Sequence, residues 1–137
     1  MAKEDSEKRD QRIREMKEFK MKYLAKEMDL TDSQKQRFFE LYDEMGQKLD
    51  ACYKTPRDME RRLKKQGKEA SEEDYQKVTE AFNQANVEGA EIEKTYNEKF
   101  VEFLSSKQIY KLKEAEKNFR ERLEEMRHKR KKEHKKK

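Results

Sequence analysis

Residues 30–45 read LTDSQKQRFFELYDEM, and residues 104–119 read LSSKQIYKLKEAEKNF. Both phrases open on a leucine, a hydroxyl residue, two polar residues and a glutamine. Thr31 and Ser105 are residue types that cap helix N-termini, because the side-chain oxygen accepts an otherwise unpaired backbone N–H. Gln34 and Gln108 fall three residues later. From there each can reach back to the N-cap backbone N–H, which completes a capping box. Leu30 and Leu104 precede the caps, where an apolar side chain fixes the angle of chain entry. Each phrase therefore starts a helix.

The likeness continues past the caps. Arg37 matches Lys111, Phe38 matches Leu112, Glu40 matches Glu114, Met45 matches Phe119, Lys48 matches Arg122 and Leu49 matches Leu123. The apolar matches fall on one helical face. This is a pseudo-repeat of two related helix starts. Two copies are too few for a solenoid.

Composition points the same way. Of 137 residues, 31% are hydrophobic and 49% are charged. Ordinary globular domains are about 45–50% apolar and about 25% charged. The shortfall excludes a thick core and fits long helices. With 3 Gly, 1 Pro and no Trp there is little material for turns or sheets. The fold class is all-α, with about four long, partly kinked helices. One apolar stripe per helix builds a thin, elongated, curved layer, and a homodimer would cover the remaining apolar area.

The other boundaries follow from caps and breakers. The first helix is predicted over residues 6–28, with a stripe of Ile13, Met16, Phe19, Met21, Tyr23, Leu24 and Met28. The second follows Thr31 and carries Phe38, Leu41, Tyr42, Met45, Leu49 and Cys52. "TPRD" (residues 55–58) marks a kink or a restart at Pro56. A loop surrounds Gly67. Ser71 with Asp74 caps a third helix over residues 72–103, with Tyr75, Val78, Phe82, Ala85, Tyr96, Phe100 and Phe103 in line. Asn86, Gly89 and Glu93 interrupt that line, which suggests close crossing by another helix or exposure. The fourth helix follows Ser105 with Leu112, Ala115, Phe119, Leu123 and Met126.

Charge is unevenly placed. Residues 127–137 hold eight Lys or Arg and one Glu, so they carry +7. The whole chain carries +5, which leaves −2 on residues 1–126. The expected organisation is one helical domain, 1–126, and a basic, disordered tail, 127–137. No apolar run approaches the length of a membrane span, and the first ten residues lack an apolar signal-peptide core. Taken literally the chain is cytosolic; it also fits a mature segment written without its leader.

Chemistry-bearing groups are sparse. Cys52 is the single cysteine, so no intrachain disulfide forms. It lies on an apolar stripe, as a small hydrophobe would. His128 and His134 are six apart and face different sides of a helix, a weak metal signal. The acidic pairs read as solvated faces and i,i+4 partners. No catalytic residue, metal site or cofactor is expected. Phe39, Val87, Ile92, Val101 and Tyr110 project off the stripes, and Phe19 and Met21 lie at their margins. Grouped among Lys and Arg, these seven are the candidate contacts for a partner.

The two phrases resemble the LTxxQ motifs of the Spy/CpxP-like periplasmic stress proteins. Residues 69–88, EASEEDYQKVTEAFNQANVE, resemble that family's long central helix, and "FVEFLSSKQIYKLKEAEKNFRERL" (residues 100–123) resembles its second motif helix. Ser105 replaces the motif threonine. The resemblance implies an ATP-independent periplasmic chaperone, a cradle-shaped antiparallel homodimer that holds unfolded clients on a mixed basic and apolar concave surface during envelope stress. It assigns Leu30, Thr31, Gln34, Leu104, Ser105 and Gln108 an architectural role. The alternative is an envelope-stress regulatory or metal-responsive protein with one specific partner. No nucleic-acid partner is expected, because residues 1–126 are net negative and contain no recognised DNA-reading motif.

Overall fold

The computed structural model describes residues 2–135. It contains four α-helices: α1 (Ala2–Glu27), α2 (Asp32–Gln66), α3 (Glu72–Val101) and α4 (Ser106–Lys135). A single 3-10 turn, Gly67–Glu69, separates α2 from α3. No strand occurs among the described residues. The chain divides into two compact units, with boundaries between Lys35 and Gln36 and between Phe103 and Leu104.

The first unit contains α1, the first turn of α2, and α4. α1 ends in a left-handed turn. Asp29 has φ 55°, its N–H donates to the Lys26 carbonyl (3.1 Å), and the Leu30 N–H donates to the Ala25 carbonyl (3.1 Å). This is a Schellman stop, here with aspartate where glycine is usual. Leu30 is buried. It closes α1 and also precedes the Thr31 cap of α2. α1 packs on α4 around Leu24, Ala25, Met28, Leu112, Ala115 and Phe119, all buried. Phe119 lies against Tyr23 (ring centroids 5.7 Å apart) and Phe19 (6.1 Å). Fully burying residues such as Leu24 and Met28 contributes about 1.5–3 kcal/mol each.

The α1 stripe is buried only at its C-terminal end. Ile13 and Met16 are about half exposed, at 50% and 47%. Helical period identifies a face but not whether another element covers it. α4 also departs from expectation. It stays helical through Lys135, where a disordered tail from residue 127 was expected. Lys and Arg are strong helix formers, no Gly or Pro interrupts the segment, and cations suit a helix C-terminus.

The second unit is an antiparallel pair made by the rest of α2 and α3. Phe38 meets Phe100 (centroids 5.4 Å) and stacks on Tyr42 (5.3 Å). Further along, Tyr53 donates to the Asn86 side chain (2.6 Å), and the Cys52 thiol lies 3.3 Å from the Ala85 carbonyl. The interruption at Asn86 and Gly89 is where α2 approaches α3 closely. A Cβ on Gly89 would lie 3.2 Å from Tyr53 Oη and 3.5 Å from Leu49 Cδ2. α2 runs through Pro56, which is buried, without the restart that "TPRD" suggested. Proline has no N–H, so the Cys52 carbonyl lacks its usual helical donor.

α3 begins at a full capping box. The Asp74 N–H donates to Ser71 Oγ (3.2 Å), and the Ser71 N–H donates to Asp74 Oδ2 (3.0 Å). Hydrogen bonding from Ser71 holds the Asp74 carboxyl below its ordinary range. A depressed carboxylate stabilises the fold above its unfolded pKa and loses that contribution as pH falls. This cap therefore weakens in acid.

The two α2–α3 glycines differ in their surroundings. Gly46, inside α2, has nothing within 4 Å of an added Cβ. Gly46→Ala is expected to raise unfolding free energy by about 0.5–1 kcal/mol, the helix-interior difference between Gly and Ala. Gly89→Ala should gain less or lose stability, because Tyr53 must move aside. Urea unfolding of the two variants checks this, and an equal gain at both sites would contradict the close approach at Gly89.

Candidate functional site

The helix starts of α2 and α4 are the most strongly connected polar feature of the first unit. Thr31 Oγ1 accepts the Gln34 N–H (3.3 Å), and Gln34 Oε1 accepts the Thr31 N–H (3.0 Å). Ser105 Oγ accepts the Gln108 N–H (3.1 Å), and Gln108 Oε1 accepts the Ser105 N–H (3.0 Å). Each box satisfies two N–H groups that a helix start otherwise leaves open. Leu104, like Leu30, is buried.

The glutamines also bond each other. Gln34 Nε2 donates to Gln108 Oε1 (3.1 Å), and Gln108 Nε2 donates to Gln34 Oε1 (2.9 Å). Gln108 Nε2 also lies 3.3 Å from the Asp29 carbonyl. Each amide oxygen thus accepts from its own cap and from the opposite amide. A carboxylate could complete either box, but two carboxylates could not make the reciprocal pair. The sequence showed the two caps; their mutual bond was missed. The matching signal was glutamine, not glutamate, at the same position of both phrases.

The seven candidate contact residues are divided between the two units. Phe19 (59% exposed) and Tyr110 (65%) belong to the first unit; Val87 (55%) and Val101 (59%) belong to the second. Met21, Phe39 and Ile92 are half-buried. Phe39 leans on Phe38, with ring centroids 6.0 Å apart. On α1, Ile13, Met16 and Phe19 form an exposed stripe at three-residue spacing. Arg9, Arg12 and Lys20 lie on the same side of the helix, by its 100° step. The sequence reading placed Ile13 and Met16 in the core stripe and so missed this surface.

Three polar groupings in the second unit have defined partners. Tyr96, 1% exposed, donates to Glu44 Oε2 at 3.1 Å. Lys99 and Lys48 lie over its ring at 4.7 and 5.2 Å from the centroid. The hydrogen bond with Tyr96 raises the Lys48 pKa. Burial, and then Glu88 beside it, raises the Cys52 pKa, which keeps the thiol protonated and a weak nucleophile. Arg37 pairs with Glu102 (2.6 Å) and covers the Phe103 ring at 4.5 Å.

Among the described residues no cluster of His, Cys, Asp and Glu is arranged to hold a metal ion, and no helix is long and apolar enough to cross a membrane. A cleft of about 160 Å³ lined by Met59, Arg62, Leu63, Gln66, Asp74, Lys77 and Val78 is below the usual size of ligand pockets. No protein-family model, curated protein or solved structure matches the chain.

Two predictions follow from these geometries. Gln34→Glu alone keeps the capping box and should change stability by less than about 1 kcal/mol. Gln34→Glu with Gln108→Glu sets two carboxylates face to face, raising a folded-state carboxyl pKa above its unfolded value. The double variant should be stable in acid and lose about 2 kcal/mol as pH rises through that raised pKa. Denaturant unfolding between pH 4 and pH 8 measures this, and a flat difference from the parent would count against the amide pair. Separately, Cys52 should react with iodoacetamide at pH 7.5 more slowly than free cysteine; equal rates would contradict the protonated, half-buried thiol.

Proposed function

We propose that this chain is an ATP-independent holdase that binds unfolded polypeptide in the bacterial periplasm. The observation that carries the proposal is the α1 stripe of Ile13, Met16 and Phe19, exposed and interleaved with Arg9, Arg12 and Lys20. Single exposed apolar residues are ordinary on any surface. Three in register among cations form a surface suited to extended chains with mixed apolar and acidic side chains. The cations attract an acidic segment at long range, and the apolar groups hold it once water is displaced. Methionine and phenylalanine adapt to varied side chains, which suits a binder of many clients.

The likeness of the two capped phrases to LTxxQ motifs supports the same reading. On that likeness the functional form is an antiparallel homodimer with a cradle-shaped binding surface. Tyr110 would add a contact in the same unit, and the Gln34 and Gln108 pair would hold the start of α4, which presents it.

The decisive assay is light scattering of an aggregating client in buffer without nucleotide. The parent protein should suppress scattering at near-stoichiometric amounts. Ile13→Ser, Met16→Ser and Phe19→Ser together should remove more than half of that capacity. The triple variant should keep its helical circular dichroism, since Ile13 and Met16 are half exposed and Phe19 gives up only its ring contact with Phe119 while Leu24, Met28 and Leu112 stay in place. Full suppression by the triple variant would move the client site off α1. No suppression by the parent would overturn the holdase reading.

A further inference from the structure

The last nine described residues of α4 read RHKRKKEHK, residues 127–135. Six are Lys or Arg and one is Glu; all nine are exposed, and none is apolar. Among the described residues, none of the six cations forms an ion pair with a carboxylate. Cations near a helix C-terminus are favoured by the helix dipole, but that effect fades within the last turn. Residues 127–130 lie beyond it. Arg127, Lys131 and Lys135 repeat at four-residue spacing, and Lys129 with Lys132 at three, which sets like charges beside one another. The segment is helical against its own repulsion, and an external polyanion would relieve it.

We propose that residues 127–135 form a docking helix for a linear phosphate polymer. Nine helical residues span about 13.5 Å, so the cations recur about every 2.2 Å of axis. Duplex DNA carries one negative charge per about 1.7 Å. With Glu133 counted the net charge is +5, one per about 2.7 Å of axis, the same order as the duplex. The 100° step also places cations around the whole circumference: Arg127, Lys131 and Lys135 on one side, Lys129 and Arg130 on others. A flat anionic membrane reaches only one side of a helix, and with no apolar residue the segment has nothing to insert. A phosphate-walled groove or a wrapped strand reaches every side, and the major groove admits an α-helix. The net-negative body argued against a nucleic-acid partner on the sequence alone, but contacts to phosphates need no base-reading motif. This site is independent of the α1 stripe and of the holdase reading.

The test is fluorescence anisotropy with three labelled probes: a 20-base-pair DNA duplex, a single strand of that length and inorganic polyphosphate. The full chain is compared with a chain ending at Met126 and with a full-length variant carrying Arg127→Gln, Lys129→Gln, Arg130→Gln, Lys131→Gln and Lys132→Gln. The full chain should bind the duplex, losing about a thousand-fold in affinity between 50 and 200 mM salt, as expected for about five or six neutralised phosphates. Both altered forms should bind at least a hundred-fold more weakly at 50 mM. The duplex should be the probe bound most tightly, and tighter binding of the single strand or of polyphosphate would overturn the duplex as the occupant. Equal binding by either altered form would overturn the proposal. So would equal or tighter binding of polyglutamate or of vesicles containing phosphatidylglycerol, which would assign the helix to acidic protein or to membrane.

Discussion

The starts of α2 and α4 are joined by a pair of glutamine side chains that each do two jobs. A helix start leaves several backbone N–H groups without partners, and burying them unpaired costs free energy. Gln34 and Gln108 each satisfy their own cap and then use the remaining amide hydrogens on each other. The Asp29 carbonyl, held in a left-handed turn, accepts from the same network. The end of α1, the start of α2 and the start of α4 are thereby fixed at one point. Leu30 and Leu104 are buried beside the caps and exclude water from part of this polar cluster. In a chain with so little apolar material, such a connection contributes a large share of what specifies the first unit.

The second unit uses a different device. Its two helices meet along a thin seam that is aromatic at the Phe38 and Phe100 end, small in its middle and aliphatic around Met59, Leu63 and Val78. Gly89 and Ala85 let the helices approach, and Tyr53 fills the space over them. Tyr96 brings an aromatic ring inside while its hydroxyl reaches Glu44. Lys48 and Lys99 spread over that ring, so their side chains cover its apolar surface. The same pattern recurs where Arg37 covers Phe103, and in the first unit where Arg122 covers Tyr23. A protein of this composition thus uses the stems and charges of Lys and Arg to finish a core that its hydrophobic residues cannot close.

Local chemistry was the legible part of the sequence. Cap residues act over three positions, so Thr31, Ser71 and Ser105 could be read directly from their neighbours. Face assignments within α2 and α3 were readable for the same reason, since the apolar period is local, except that Tyr75, placed on the α3 stripe, is half exposed. What the sequence did not show depends on distant partners. The Gln34 to Gln108 bond joins residues 74 positions apart. The exposure of Ile13 and Met16 depends on the absence of a covering element in their unit, which periodicity does not encode. Pro56 was read as a kink or a restart because local rules favour it at a first helical turn, yet α2 continues through it without a restart. Residues 127–135 were read as a tail from their charge, although each residue type in them except His is a strong helix former.

The most direct test of the joined helix starts is a double-mutant cycle with Gln34→Ala, Gln108→Ala and both together, followed by urea unfolding at neutral pH. Each single change removes that residue's bond to its own N-cap N–H, and the cycle cancels this contribution. The reciprocal amide pair predicts a coupling energy of about 1 kcal/mol or more between the two sites. Additivity within about 0.3 kcal/mol would show that the two caps act separately and would contradict it.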